Sequence, residues 1–253
     1  MLAALTALAL SAAPELTLIW HDEFDGPTLD AQKWNAEIND EGGGNQELQY
    51  YTARRENVRV ENGELVITSR KERYTGPDGQ TRDYTSGRVN TDGKFAPTYG
   101  RYEARMKLPR GQGMWPAFWL LGQDRKQHEW PACGEIDILE NIGKEPAMVH
   151  GSIHGPGYSG ADGLNGPYSA NLDGYHVYAL DWDPTQIIFY MDGVPYCRRT
   201  RDSIPKGSPW PFDHPFFIII NNAVGGSWPG SPDATTRFPQ ELRVDYVRVW
   251  QAK

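Results

Sequence analysis

From Leu16 onward the chain is written in short apolar runs, and no stretch sustains a helical period. Arg101–Leu108 is the clearest case. Tyr102, Ala104, Met106 and Leu108 alternate with Arg101, Glu103, Arg105 and Lys107, the pattern of a strand with one buried and one solvated face. Leu65–Ser69 (LVITS) and Leu242–Trp250 (LRVDYVRVW) read as further strands, and Phe216–Ile220 (FFIII) as a strand buried on both faces. Ile187–Met191 and Val194–Cys197 flank Asp192-Gly193, the signature of a tight hairpin. With 27 Gly and 19 Pro breaking these runs, and no Gly/Ser/Pro-rich linker or repeat, the expected fold is one all-β antiparallel sandwich or barrel. Two Gly-rich segments, Asn39–Gln46 and Gly155–Tyr168, are expected to be loops on the rim of a site.

Charge and cysteine content narrow the function. A formal net charge of −8 repels phosphate, so no nucleic-acid partner is expected. The two cysteines, Cys133 and Cys197, exclude a disulfide-dense scaffold and a Cys-rich zinc module, and leave one disulfide open. Met1–Ala13 is apolar, too short to span a bilayer, and ends in Ser-Ala-Ala, as a signal peptide does, although no Lys or Arg precedes the apolar run. The expected organisation is a signal peptide at 1–13 and a single domain at 14–253, secreted, with no membrane contact in the mature form.

Chemistry concentrates in Trp130–Asn141 (WPACGEIDILEN), where Glu135, Asp137 and Glu140 interrupt an apolar segment. Carboxylates are costly to bury unless paired or used. In a regular strand Glu135 and Asp137 share a face and Glu140 takes the other. A single bulge near Ile138–Leu139 would return Glu140 to the acidic face, and bulges recur beside active sites. The two Glu backbones would then stand about 13 Å apart, from four strand steps. Inward-leaning side chains would close that gap toward the roughly 5–5.5 Å of a retaining glycosidase pair. Asp137 between them would split their pKa values. Taken alone, the same acids could be solvated loop residues or a calcium site.

The surrounding residues fit a sugar-binding cleft. Trp115 and Trp119 share a strand face in GQGMWPAFWLLG, and Trp228 sits in the GGSWPG turn, where rings can stack on sugar faces. Trp20, Trp182 and Trp250 read as core. His150 and His154 share a strand face but lack a third ligand, so metal catalysis is not expected. His154 reads as a polar group in the cleft and His150 as structural. P-loop, dinucleotide and Ser-hydrolase motifs are absent.

GEIDILE at 134–140 resembles the catalytic strand of glycoside hydrolase family 16, in the bulged form of bacterial laminarinases. The resemblance runs from about Leu16 to Gln251. It includes WHDEF at 20–24, GGGNQELQYYT at 42–52, TSGR at 85–88, VHGSIHGPGYSG at 149–160, FDHPF at 212–216 and AVGGSWPG at 223–230. It implies a β-jelly-roll sandwich of two curved antiparallel sheets, concanavalin A-like, with a substrate groove on the concave face. It implies retaining hydrolysis of β-1,3-glucan, with Glu135 as nucleophile, Glu140 as acid/base and Asp137 assisting. Asn45, Arg88, Trp115, Trp119, His154 and Trp228 match groove positions. No cofactor is implied for catalysis; a structural calcium is, at Glu23, Gly63 and Asp245. Gln46 and Leu139 depart from the usual Asn and Met, a rim and a core position. The expected protein is a monomeric endo-β-1,3-glucanase. The alternatives are a mixed-linkage glucanase or another polysaccharide hydrolase of the family and, more distantly, a glucan-binding module, whose kind usually lacks the catalytic Glu residues.

Overall fold

The computed structural model describes residues 15–253, so the 1–13 segment read as a signal peptide lies outside the described residues. Among the described residues seventeen strands and three single-turn 3-10 helices (Gly42–Gly44, Gly160–Asp162 and Arg201–Ser203) make up the regular structure. The strands begin with β1 (Leu16–Asp22), β2 (Asn35–Ala36), β3 (Gln49–Tyr51), β4 (Val58–Glu61), β5 (Glu64–Thr75) and β6 (Thr81–Ser86). Next come β7 (Arg88–Asn90), β8 (Gly100–Lys107), β9 (Met114–Gly122), β10 (Glu135–Glu140), β11 (Met148–His154) and β12 (Leu164–Ser169). The last are β13 (His176–Asp183), β14 (Gln186–Met191), β15 (Val194–Thr200), β16 (Phe216–Val224) and β17 (Gln240–Ala252).

They form two sheets. One has ten strands, in the order β15-β14-β13-β8-β17-β5-β6-β3, with β1 on β17 and β4 on β5. The other has seven, in the order β12-β11-β10-β9-β16-β7-β2. All pairings are antiparallel except β3 with β6, which is parallel. This is the jelly-roll sandwich. Its core lies between the sheets: Tyr102, Ala104 and Met106 of β8 and Val244, Val247 and Val249 of β17 meet Phe118, Ile136, Ile218 and Ile220 of the seven-stranded sheet.

The alternation read in Arg101–Leu108 is the burial pattern of β8, and all of β16 is buried. The hairpin closes at Asp192-Gly193, both with positive φ. Two readings change. Gly155–Tyr168 is not all loop, because Leu164–Tyr168 pairs with β11 as part of β12. Trp250 is not core. It lies between inward-facing Val249 and the strand end, half-buried on the outer face of β17.

β10 contains the feature that matters for function. Against β9, Asp137 pairs with Trp119 and Leu139 with Phe118, so Ile138 has no partner. Against β11, Asp137 pairs with Ser152 and Glu140 with His150, leaving Ile138 and Leu139 opposite Gly151 alone. The bulge turns Ile138 and Leu139 both into the core. The Tyr196 hydroxyl donates to the Ile138 carbonyl at 3.5 Å. Gly151 makes room for this: a Cβ there would lie 2.7 Å from that hydroxyl and 2.8 Å from the Phe189 ring.

Gly151→Ala should therefore cost about 1–3 kcal/mol, as overpacking does. Gly193→Ala has open space and only its left-handed backbone (φ 78°) to strain, so it should cost about 1 kcal/mol. Guanidinium denaturation of the two variants checks the ranking; equal costs would mean that Gly151 provides no packing space for the bulge.

Candidate active site

Register carries the bulge across the seven-stranded sheet as three rungs. Glu135 stands beside Leu121 and then Phe217. Asp137 stands beside Trp119, Ile219, Asn90 and Asn35. Glu140 stands beside Ala117, Asn221 and Arg88. On the other side β11 supplies His154, Ser152 and His150. Partners in a rung share a face, so the three acids lie in a row on the face of the sheet turned away from the core.

His154 binds this row together. Its Nε2 is 3.0 Å from Asp137 Oδ2 and 3.9 Å from Glu135 Oε1. One ligand atom from each of Glu135, Asp137 and His154 lies within 4.8 Å of the others. Burial alone would depress the His154 pKa, but the Asp137 carboxylate, with Glu135 and Glu140, outweighs it and pushes the imidazole up to about 9. A ring that holds its proton at neutral pH is a countercharge for the acids. The carboxyls move the same way. Burial, with the Asp137 charge added, pushes Glu135 up to about 8, opposed by His154 and by a hydrogen bond from Trp130. Glu140 is held well above the ordinary carboxyl range, first by burial and then by Asp137. The site thus stores a proton on Glu140 beside a Glu135 whose charge two donors favour.

Indole rings frame the acids. Trp115 Nε1 donates to Glu140 Oε1 at 3.0 Å, and the Trp115 ring meets Trp228 edge-on at 5.4 Å. Trp228 in turn meets His150 at 5.0 Å. His150 is buried, bonds Asn165 and lies 3.4 Å from Glu145, so its role here is packing. Trp119 donates to Asn221 Oδ1 at 2.8 Å, with the Arg88 guanidinium 4.9 Å from its ring. Arg88 is set by Glu37, Nε to Oε1, at 3.0 Å. Asn45 holds the rim: its carbonyl accepts from Ser227 N–H beside Trp228, while its side chain turns back to Gly43. All six groove positions named from the sequence therefore come to this face or its rim.

Trp130 was missed as a site residue. It is 47% exposed, yet its Nε1 donates to Glu135 Oε2 at 2.7 Å. Its place five residues before Glu135 in the acid-bearing segment was the available signal.

Two other expectations fare differently. Glu23 takes two hydrogen bonds from Arg248, at 2.9 and 2.8 Å, and lies 3.2 Å from His21. Asp245 is 2.7 Å from Arg105. Calcium needs bare oxygens, and arginines take up the Glu23 and Asp245 carboxylates, so neither side chain as placed is free for that ion, while Gly63 could offer only its carbonyl. Cys133 and Cys197 are both free thiols. Burial, with Glu135 nearby, pushes the Cys133 thiol up to about 11, so it stays protonated.

The raised values predict how stability depends on pH. A group that keeps its proton to higher pH when folded makes the native state bind more protons in that window, so stability falls as pH rises. The window runs from 4.5 to about 8 for Glu135, and from 6.5 to about 9 for His154; Glu140 adds to the fall from 4.5 upward. Glu140→Gln keeps an acceptor for Trp115 but cannot ionise. Its melting temperature should fall less between pH 5 and pH 8 than that of the parent. A fall as steep as the parent's, by calorimetry, would contradict the proton assigned to Glu140.

The chain is similar in sequence and fold to known proteins. The model of glycosyl hydrolases family 16 matches residues 45–248. The β-glucanase of Rhodothermus marinus is 44% identical over 256 residues, covering 94% of this chain and 86% of that protein. The catalytic domain of an endo-1,3-β-glucanase (laminarinase) from Thermotoga petrophila RKU-1 superposes with a TM-score of 0.90 at 44% identity, covering 95% of this chain and 100% of that one. SCLam, a non-specific endo-β-1,3(4)-glucanase, does so with a TM-score of 0.86 at 41% identity, covering 96% and 94%. The protein is a glycoside hydrolase, and the chain belongs to family 16.

Proposed function

We propose that the protein is an endo-acting β-1,3-glucan hydrolase that works by retaining double displacement. The observation that carries this reading is the bulge in β10, which sets Glu135, Asp137 and Glu140 in one row between His154 and Trp115. In the first step a Glu135 oxygen attacks the anomeric carbon as the glycosidic C–O bond breaks, and Glu140 gives its proton to the leaving oxygen. In the second step Glu140 takes a proton from water, the water oxygen attacks the anomeric carbon, and Glu135 leaves as carboxylate. Asp137 holds His154 in place, and the His154 imidazolium with the Trp130 N–H offsets part of the cost that burial and the Asp137 charge place on ionised Glu135. Two carboxyl groups and water supply the chemistry, and no calcium enters this reading.

The exposed Trp130 and the ring pair Trp115–Trp228 supply apolar faces for sugar rings on either side of the acids. The likeness to glucanases and laminarinases supports a β-1,3-linked glucose chain as substrate. The likeness to SCLam favours mixed-linkage β-1,3-1,4-glucan as a second substrate. A glucan-binding module is the weaker reading, because all three acids are retained and electrostatically tuned. The apolar Met1–Ala13 and a polymeric substrate support secretion. Among the described residues no helix is long and apolar enough to cross a membrane.

A panel of laminarin, curdlan, barley mixed-linkage glucan, carboxymethylcellulose and agarose, with products read by mass spectrometry, tests the reading. Short oligosaccharide ladders from laminarin are expected. Glu135→Gln should lower the rate by several orders of magnitude with the fold intact. Unchanged turnover in that variant, or cleavage of agarose alone, would overturn the proposal.

A further inference from the structure

The groove face does not end at Trp119. In the Glu135 rung the third residue is Phe217 of β16, two strand spacings or about 10 Å from β10. Phe217 alternates with the core residues Phe216 and Ile218 and belongs to the groove face, yet it is only 2% exposed. Arg125 covers it, its guanidinium carbon 4.8 Å from the ring centre. Asp92 holds Arg125 there: Oδ2 accepts from Nη2 at 2.7 Å, and Oδ1 accepts from Gln123 at 2.6 Å. Asp92 is itself anchored by Asn35, which donates to its carbonyl at 3.0 Å, and by Asn90, whose side-chain oxygen accepts its N–H at 3.1 Å. Both asparagines belong to the Asp137 rung.

A guanidinium lying on a ring and bonded at one nitrogen keeps the rest of its planar fork for other acceptors. Nε and Nη1 of Arg125 have no protein partner among the described residues, and the side chain is 31% exposed. Asp92 cancels its charge locally, which suits neutral hydroxyl oxygens better than an anion. The fork is also fixed before any ligand arrives, so little ordering remains to oppose binding.

We propose that Arg125 forms a further sugar-binding subsite, donating to hydroxyl oxygens of a glucosyl unit on the β7 side of the scissile bond, about two rings away. This rests on the β-1,3-glucan reading above and names a residue that sets the preferred chain length. If Arg125 only pinned its own loop, its loss would weaken all substrates alike. A subsite predicts a loss that depends on chain length.

The experiment measures kcat/KM on β-1,3-gluco-oligosaccharides of three to seven units for the parent, Arg125→Ala and Arg125→Met. The methionine keeps a long side chain over Phe217 if the alanine variant folds poorly. In the parent, kcat/KM should rise with length. In both variants the ratio of the long to the short substrate should fall about tenfold or more, the worth of a charge-assisted hydrogen bond. A ratio equal to the parent's, whether the absolute rates fall or hold, would overturn the subsite. A parent enzyme inert on the whole series would overturn the substrate reading, and this inference with it; that failure shows in the parent alone.

Discussion

β10 carries one residue more than its neighbours can pair with, and the site depends on that surplus. Without the bulge at Ile138, period two would send Glu140 into the layer occupied by Phe118 and Ile136, where an unpaired carboxylate is costly. With it, two consecutive apolar residues enter the core and the third acid returns to the groove. The ten-stranded sheet supports the irregularity from behind. Tyr196 of β15 reaches the freed Ile138 carbonyl through the space left by Gly151. One sheet therefore carries the reacting groups, and the other helps to hold them in register.

The electrostatics follow from that crowding. Three acids within a few residues of one strand cannot all ionise cheaply once buried. The fold offsets part of the cost with one imidazolium and two indole N–H donors, each aimed at a different member of the row. Burial and the Asp137 charge raise both glutamic acids and His154 opposes them in both, but the only side-chain hydrogen bond to Glu140 among the described residues comes from Trp115, and it is held well above the ordinary range. Glu135, with Trp130 and His154 beside it, is the better placed to lose its proton. Division of labour between two chemically identical side chains thus comes from their neighbours.

Much of this was legible in the sequence because it follows from periodicity. The alternation in β8, the Asp-Gly hairpin and the need for a bulge between Asp137 and Glu140 all follow from side chains lying on one face or the other. What depends on contacts between distant segments was not legible. The half-exposed position of Trp250 follows from the outer face of β17, which a short apolar pattern does not reveal. Arg248 and Arg105 take up Glu23 and Asp245 through cross-strand pairing and side-chain reach, and a motif match cannot see such partners. Trp130 stands five residues before Glu135, but spacing alone gives it no partner. Its bond to Glu135 depends on how the loop before β10 folds back. The parallel pairing of β3 with β6 has no local signature at all.

The central claim is that the bulge makes Glu135 the nucleophile and Glu140 its proton donor. Incubating the enzyme with a 2-fluoro-substituted β-1,3-glucosyl substrate bearing a good leaving group, followed by peptide mapping by mass spectrometry, would trap the covalent sugar. The account predicts the label on Glu135. A label on Asp137 or Glu140, or turnover with inversion and no label, would contradict it.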